Sequence, residues 1–178
     1  MWRNTSTSYG WLNKLLHWAV AVTVFGLFAL GLWMTSLSYY DEWYHKGPDI
    51  HRSVGILLML VMVLRVLLVH WMGKPRPLVS HSTAEVRLAQ LVHLLIYLLV
   101  FAIGITGYLI STADGRGIEV FNWFAVPSLG SLFDHQEDVA GEVHEWLAYS
   151  LITLAVLHAL AAVKHHVLDK DDTLKRML

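Results

Sequence analysis

The chain has 178 residues, the length of one ordinary domain, yet 56% of them are hydrophobic and only 15% charged, against roughly 25% charged residues in a typical soluble domain. Disorder and fibrous repeats are excluded, and the net charge of −1 gives no excess of positive charge that would point to nucleic acid. The absence of cysteine removes disulfides, iron–sulfur clusters, thiolate zinc sites, thiol nucleophiles and covalent c-type haem attachment, whereas histidine is in surplus at eleven.

In chain order, four apolar runs are long enough to cross a bilayer, which needs about 20 residues when helical: 12–36, 51–71, 88–110 and 143–163. They predict an all-α integral membrane four-helix bundle forming a single domain over 1–178. The first run starts too far from a basic segment and runs too long for a secretory signal, so it is read as a retained helix. Pro48, Pro75, Pro77 and Pro127 all fall in the connections, with none inside a helix. In the third connection Asp114-Gly115-Arg116-Gly117 signals a turn, and the amphipathic stretch 118–124 predicts a short interfacial helix.

Lys and Arg concentrate on the cytoplasmic side of membrane proteins. Arg3, Lys14, Arg65, Lys74, Arg76, Arg87, Lys164, Lys170, Lys175 and Arg176 share one side, leaving Lys46, Arg52 and Arg116 on the other. Both termini are therefore expected in the cytoplasm. Ten carboxylates sort to the outer side: Asp41, Glu42, Asp49, Asp114, Glu119, Asp134, Glu137, Asp138, Glu142 and Glu145.

An ionisable residue within a membrane helix is costly unless partnered, so His17, His51, His93, His144 and His158 each need a reason. His144 and His158 are 14 residues apart, which on a helix is roughly 21 Å of axial rise with directions differing by only about 40°. One helix face therefore carries two sites, one near each membrane surface. His17 matches His158 in depth at the inner end, and His51 matches His144 at the outer end. Two imidazoles facing each other across a bundle are what a six-coordinate b-type haem requires, so the expectation is two stacked haem b in the bundle core, with iron held by His17 and His158 and by His51 and His144. A zinc-like ion competes for imidazole, but no Asp or Glu lies at mid-depth in any run. Gly55, one turn beyond His51, fits close approach of a flat macrocycle, whereas Gly104 and Gly107 are read as helix-packing positions.

Leu16-His17-Trp18, His51-Arg52-Ser53-Val54-Gly55-Ile56-Leu57, His93-Leu94-Leu95-Ile96-Tyr97-Leu98-Leu99 and the tail from His158 through His165-His166 to Asp169-Lys170-Asp171-Asp172-Thr173-Leu174-Lys175-Arg176-Met177 resemble the bacterial cytochrome b561 family over essentially the whole chain. The resemblance implies a di-haem b protein of the bacterial inner membrane that exchanges electrons with the quinone pool. It places the haem ligands on His17, His51, His144 and His158. One family member is a superoxide oxidase passing electrons to ubiquinone.

The expected function is transmembrane electron transfer between a quinone, ubiquinone or another, and a periplasmic-side redox partner. Superoxide oxidation at the outer haem and a haem-binding subunit without turnover are the alternatives. Arg52 is the candidate partner for an outer haem propionate. His93 competes with His17 as inner ligand, contacts quinone or makes an interhelix hydrogen bond. Lys164, His165 and Arg65 are divided between propionate or quinone contacts and interfacial snorkelling. His45, His70, His81 and His135 are assigned no role.

Overall fold

The computed structural model describes residues 1–178. Four helices dominate, α1 (Trp11–Met34), α2 (Trp43–Met72), α3 (Thr83–Thr112) and α4 (Gln136–Val167), with a short 3-10 turn at Lys175–Met177. At 1.5 Å per residue α1 is about 36 Å long and the others about 45 Å or more, enough to cross a hydrocarbon layer of roughly 30 Å. They run alternately up and down, so both termini lie at one end. α1 packs chiefly on α2 and α3 on α4, which makes two antiparallel hairpins that face each other.

Only 13 of the 178 residues are buried, and many large apolar side chains stand exposed, as they do where lipid tails rather than water surround a bundle. Val22, Leu67 and Ile105 are typical, at 70%, 62% and 59% exposed. The buried core is a belt with one residue from each helix: Val20, Met62, Val100 and Leu151. Leu151 lies seven residues from both His144 and His158, and seven residues return a helix to nearly the same face. The belt therefore sits midway between the two histidine levels.

The helices outrun the apolar runs that revealed them. α3 begins at Thr83 rather than at residue 88 because Ser82 forms a capping box: its hydroxyl accepts from the Glu85 amide at 3.3 Å, and the Glu85 carboxylate accepts from the Ser82 amide at 2.8 Å. α4 begins at Gln136, seven residues before the expected start, and α2 at Trp43, eight before. The α2 extension contradicts the expectation that every proline lies in a connection, because Pro48 is the sixth residue of the helix. Its ring opposes only the carbonyl of Tyr44 in the first turn, where few intrahelical bonds exist to be broken. Packing supplies the compensation: Gly47 is buried against Met34 and Leu37, and the Trp43 ring lies tilted against Trp33 with centroids 5.8 Å apart.

The third connection also differs from expectation. Instead of an interfacial helix over 118–124, strands β1 (Ile118–Val120) and β2 (Phe124–Val126) form an antiparallel hairpin, with Val120 paired to Phe124. Ile118 and Val120 point inward and Glu119 outward, the two-residue period of a strand. The turn residues Phe121 and Asn122 take positive φ. The buried Ser53 of α2 pins the hairpin, its hydroxyl donating to the Glu119 carbonyl and accepting from the Phe121 amide, both at 3.2 Å.

Gln136 fastens the end of this connection. It is 2% exposed, donates to the Leu109 carbonyl at 2.8 Å and accepts from the Leu132 amide at 2.7 Å. Gln136→Leu strands both groups, a loss of about 1–3 kcal/mol, and should lower the apparent Tm of the detergent-solubilised protein by roughly 2–10 °C. Thermal unfolding followed by circular dichroism checks this.

Candidate functional site

At the end of the bundle away from the termini, which the charge count expects to be the outer one, His51 on α2 and His144 on α4 face each other with ring centroids 6.2 Å apart. They border a cavity of about 690 Å³ between the two helix hairpins, within the roughly 300–1,000 Å³ typical of cofactor sites. Glycine backs both rings. A methyl group on Gly31 would stand 3.4 Å from His51 Cε1, and one on Gly107 only 3.2 Å from His144 Cε1. Gly107 thus gives its neighbouring ring room, correcting its assignment as a helix-packing position. Gly104 does pack between helices, since a methyl there would collide with Met59.

His144 Nδ1 is 3.1 Å from the Ile103 carbonyl and 3.1 Å from Thr106 Oγ1. A carbonyl can only accept, so Nδ1 carries the proton and Nε2 keeps a free lone pair, the tautomer a metal ligand needs. His51 Nδ1 is buried with no hydrogen-bond partner. Two imidazoles bound to opposite sides of one metal ion at about 2 Å each have centroids roughly 6 Å apart. The cavity, its glycine walls and this spacing fit a planar macrocycle that His51 and His144 would hold.

At the end that holds both termini, the expected inner one, His17 on α1 and His158 on α4 lie 6.5 Å apart by centroids, the same spacing within a few tenths of an ångström. His93 on α3 comes closer to His158, at 5.2 Å, and keeps part of its surface accessible. Arg65 reaches into this group. Its Nη2 is 3.0 Å from His17 Nδ1, its guanidinium lies over the Tyr97 ring at 5.7 Å, and its Nε is buried without a partner. Because a guanidinium only donates, His17 Nδ1 accepts here and the proton sits on Nε2. Metal binding through Nε2 requires the opposite tautomer, so it requires Arg65 to exchange His17 for another acceptor. An anion beside the ring would serve, and would also satisfy the unpaired Nε.

The remaining expected residues lie at the two ends. Arg52 borders the outer cavity and is ion-paired with Asp49. Lys164 donates to Asp169 at 2.6 Å. His165 meets His81 at 4.8 Å between rings, and His81 Nε2 is 3.0 Å from Asp171 Oδ2. His81, without a role in the sequence, is thus drawn into a cluster by the folded-back tail. No periodicity links it to His165, 84 residues on, so nothing local signals the contact.

A family model described as prokaryotic cytochrome b561 matches residues 8–178. The chain belongs to the prokaryotic cytochrome b561 family. It is 54% identical over 175 residues to cytochrome b561 homolog 2 of Escherichia coli K12, covering 98% of this chain and 93% of that protein. It is 31% identical to a probable superoxide oxidase CybB of Yersinia pestis, over 96% of this chain and 95% of the relative. Similarity to cytochrome b561 homolog 1 of E. coli is lower, 25% identity over 76% of this chain and 81% of that one. As a cytochrome b561 family member the chain is a multi-pass membrane electron carrier that binds haem b.

Leu in place of Gly107 would drive its side chain into the His144 ring, so Gly107→Leu should lose much of the bound haem. Gly26→Leu should retain it, because nothing lies within 4 Å of the position a Gly26 side chain would take. Haem absorbance relative to protein absorbance in the purified variants distinguishes the two outcomes.

Proposed function

We propose that this cytochrome b561 family member binds two haem b, one between His17 and His158 and one between His51 and His144, and passes electrons between a membrane quinone and a periplasmic-side redox partner, with both termini in the cytoplasm. The observation that carries this reading is the pair of facing imidazoles at each end of one bundle, spaced 6.5 and 6.2 Å. Haem supplies reversible one-electron exchange when bound.

The chain does the positioning. Ile103 and Thr106 fix the His144 tautomer, and Gly31 and Gly107 let the outer imidazoles stand close to the backbone. The belt of Val20, Met62, Val100 and Leu151 excludes water between the levels. Arg65, freed from His17, is the natural partner for a propionate at the inner site, and Arg52 can leave an exposed and therefore weak ion pair to serve the outer one. His93, accessible yet against His158, is where a quinone meets the inner site. Lys164 and His165 close that end of α4.

Anaerobic addition of a short-chain ubiquinol tests the reading. The haem spectrum should become reduced to nearly the extent that dithionite produces. Haem that dithionite reduces and no quinol reduces would instead identify a haem-binding subunit without turnover.

Similarity to the probable superoxide oxidase of Y. pestis favours a second reading, oxidation of superoxide at the outer site. The charge distribution opposes it. Every cation at that end is already matched with a carboxylate, Lys46 with Glu42, Arg52 with Asp49 and Arg116 with Asp114. The other outer carboxylates then set the sign of the field met by an approaching anion. That field reaches about 8 Å at physiological ionic strength and further at low salt. Stopped-flow reduction of the haem by superoxide should therefore speed up as salt is added. Fast reduction that slows with salt would reveal a positive approach path near Arg52 and make superoxide oxidation the primary function.

A further inference from the structure

We propose that His81, His165 and Asp171 form a binding site for a divalent transition-metal ion of the zinc class at the end of the bundle that holds both termini. The three residues come from separate segments. His81 precedes the N-cap of α3, His165 stands in the last turns of α4, and Asp171 belongs to the tail that folds back beneath the helices. One ligand atom from each lies within 4.8 Å of the other two. Asp171 Oδ2 is 3.0 Å from His81 Nε2 and 3.3 Å from His165 Nδ1. Ligands at about 2 Å around a tetrahedral ion are separated by roughly 3.3 Å, so small movements complete the geometry.

His165 Nδ1 is the informative atom. It is buried and lies 2.8 Å from Asp169 Oδ2 as well as 3.3 Å from Asp171 Oδ2, yet it makes a hydrogen bond with neither. A buried nitrogen in that condition is unusual in a satisfied polar network and is what a metal ligand looks like without its ion. Asp171 is prepared for the same task. The Thr173 amide donates to Asp171 Oδ1 at 2.8 Å, orienting the carboxylate and leaving Oδ2 toward the histidines, the outer-shell support typical of metal ligands.

Asp169 is held by Lys164 Nζ at 2.6 Å, which neutralises it. The donor set is thus two imidazoles and one carboxylate with a fourth position open to water. Nitrogen donors of this kind suit zinc-like ions, whereas magnesium and calcium take oxygen. An ion here would staple the tail to the connection between α2 and α3, reinforcing the contacts from Arg176 to the Arg76 carbonyl at 2.7 Å and from Trp18 to the Met177 carbonyl at 2.7 Å.

The test uses untagged holoprotein in detergent, stripped with EDTA and titrated with Zn²⁺ by calorimetry, with zinc and iron counted separately by mass spectrometry. One zinc per chain at micromolar or tighter affinity is expected. His81→Ala and the more conservative Asp171→Asn should each weaken it roughly tenfold or more while the haem spectrum and iron content stay unchanged, and His45→Ala should bind as the parent does. Absence of stoichiometric zinc would leave the cluster as an ion-pair network and overturn the proposal. So would one zinc retained at full affinity in both His81→Ala and Asp171→Asn. A missing haem would appear as missing iron and leave the zinc result intact.

Discussion

An imidazole placed within a hydrocarbon layer must find a partner on a neighbouring helix at the same depth, and this requirement organises the bundle around α4. His144, Leu151 and His158 recur every seven residues on that helix, a spacing that drifts by only about 20° per repeat and suits the shallow crossings of bundled helices. The opposite hairpin answers each level, with His51 on α2 at one end and His17 on α1 at the other. Between them the apolar belt closes the centre. The two levels are not equivalent in finish: the outer imidazoles border a cavity with one tautomer already set by Ile103, while at the inner level Arg65 still occupies the nitrogen of His17.

The ends of the bundle divide the chemistry. The outer end is roofed by the β1–β2 hairpin, pinned through Ser53, and by the connection fastened through Gln136; its few cations are spent on adjacent carboxylates. The inner end is laced together by the chain termini, with Asn4 donating to the Gly73 carbonyl at 2.7 Å and Lys14 to the Leu178 carbonyl at 3.1 Å. A surface acidic at one end and basic at the other gives the two ends different partners, whichever direction electrons take.

Most of this plan is legible in the sequence because its two signals, the length of the apolar runs and the position of each histidine along them, can be counted directly. Run length reveals the four helices, and counting residues from the run ends pairs His17 with His158 and His51 with His144. What escapes cannot be counted in this way. The helix starts at Trp43, Thr83 and Gln136 lie in polar sequence beyond the apolar runs, where capping and packing decide. Strands of three residues are too short for alternation to separate the hairpin from an amphipathic helix. The meeting of His81 with Asp171 and the hold of Arg65 on His17 are tertiary contacts between distant segments, visible only once the tail and the hairpins are folded.

The number of haems per chain, and which histidines hold each, is the most direct test of the central claim. Pyridine haemochromogen assay against protein concentration should give a ratio near two. His17→Ala and His158→Ala should then deplete one spectral component, and His51→Ala and His144→Ala the other. A ratio near one, or loss of the inner component in His93→Ala while His17→Ala keeps both, would contradict the account.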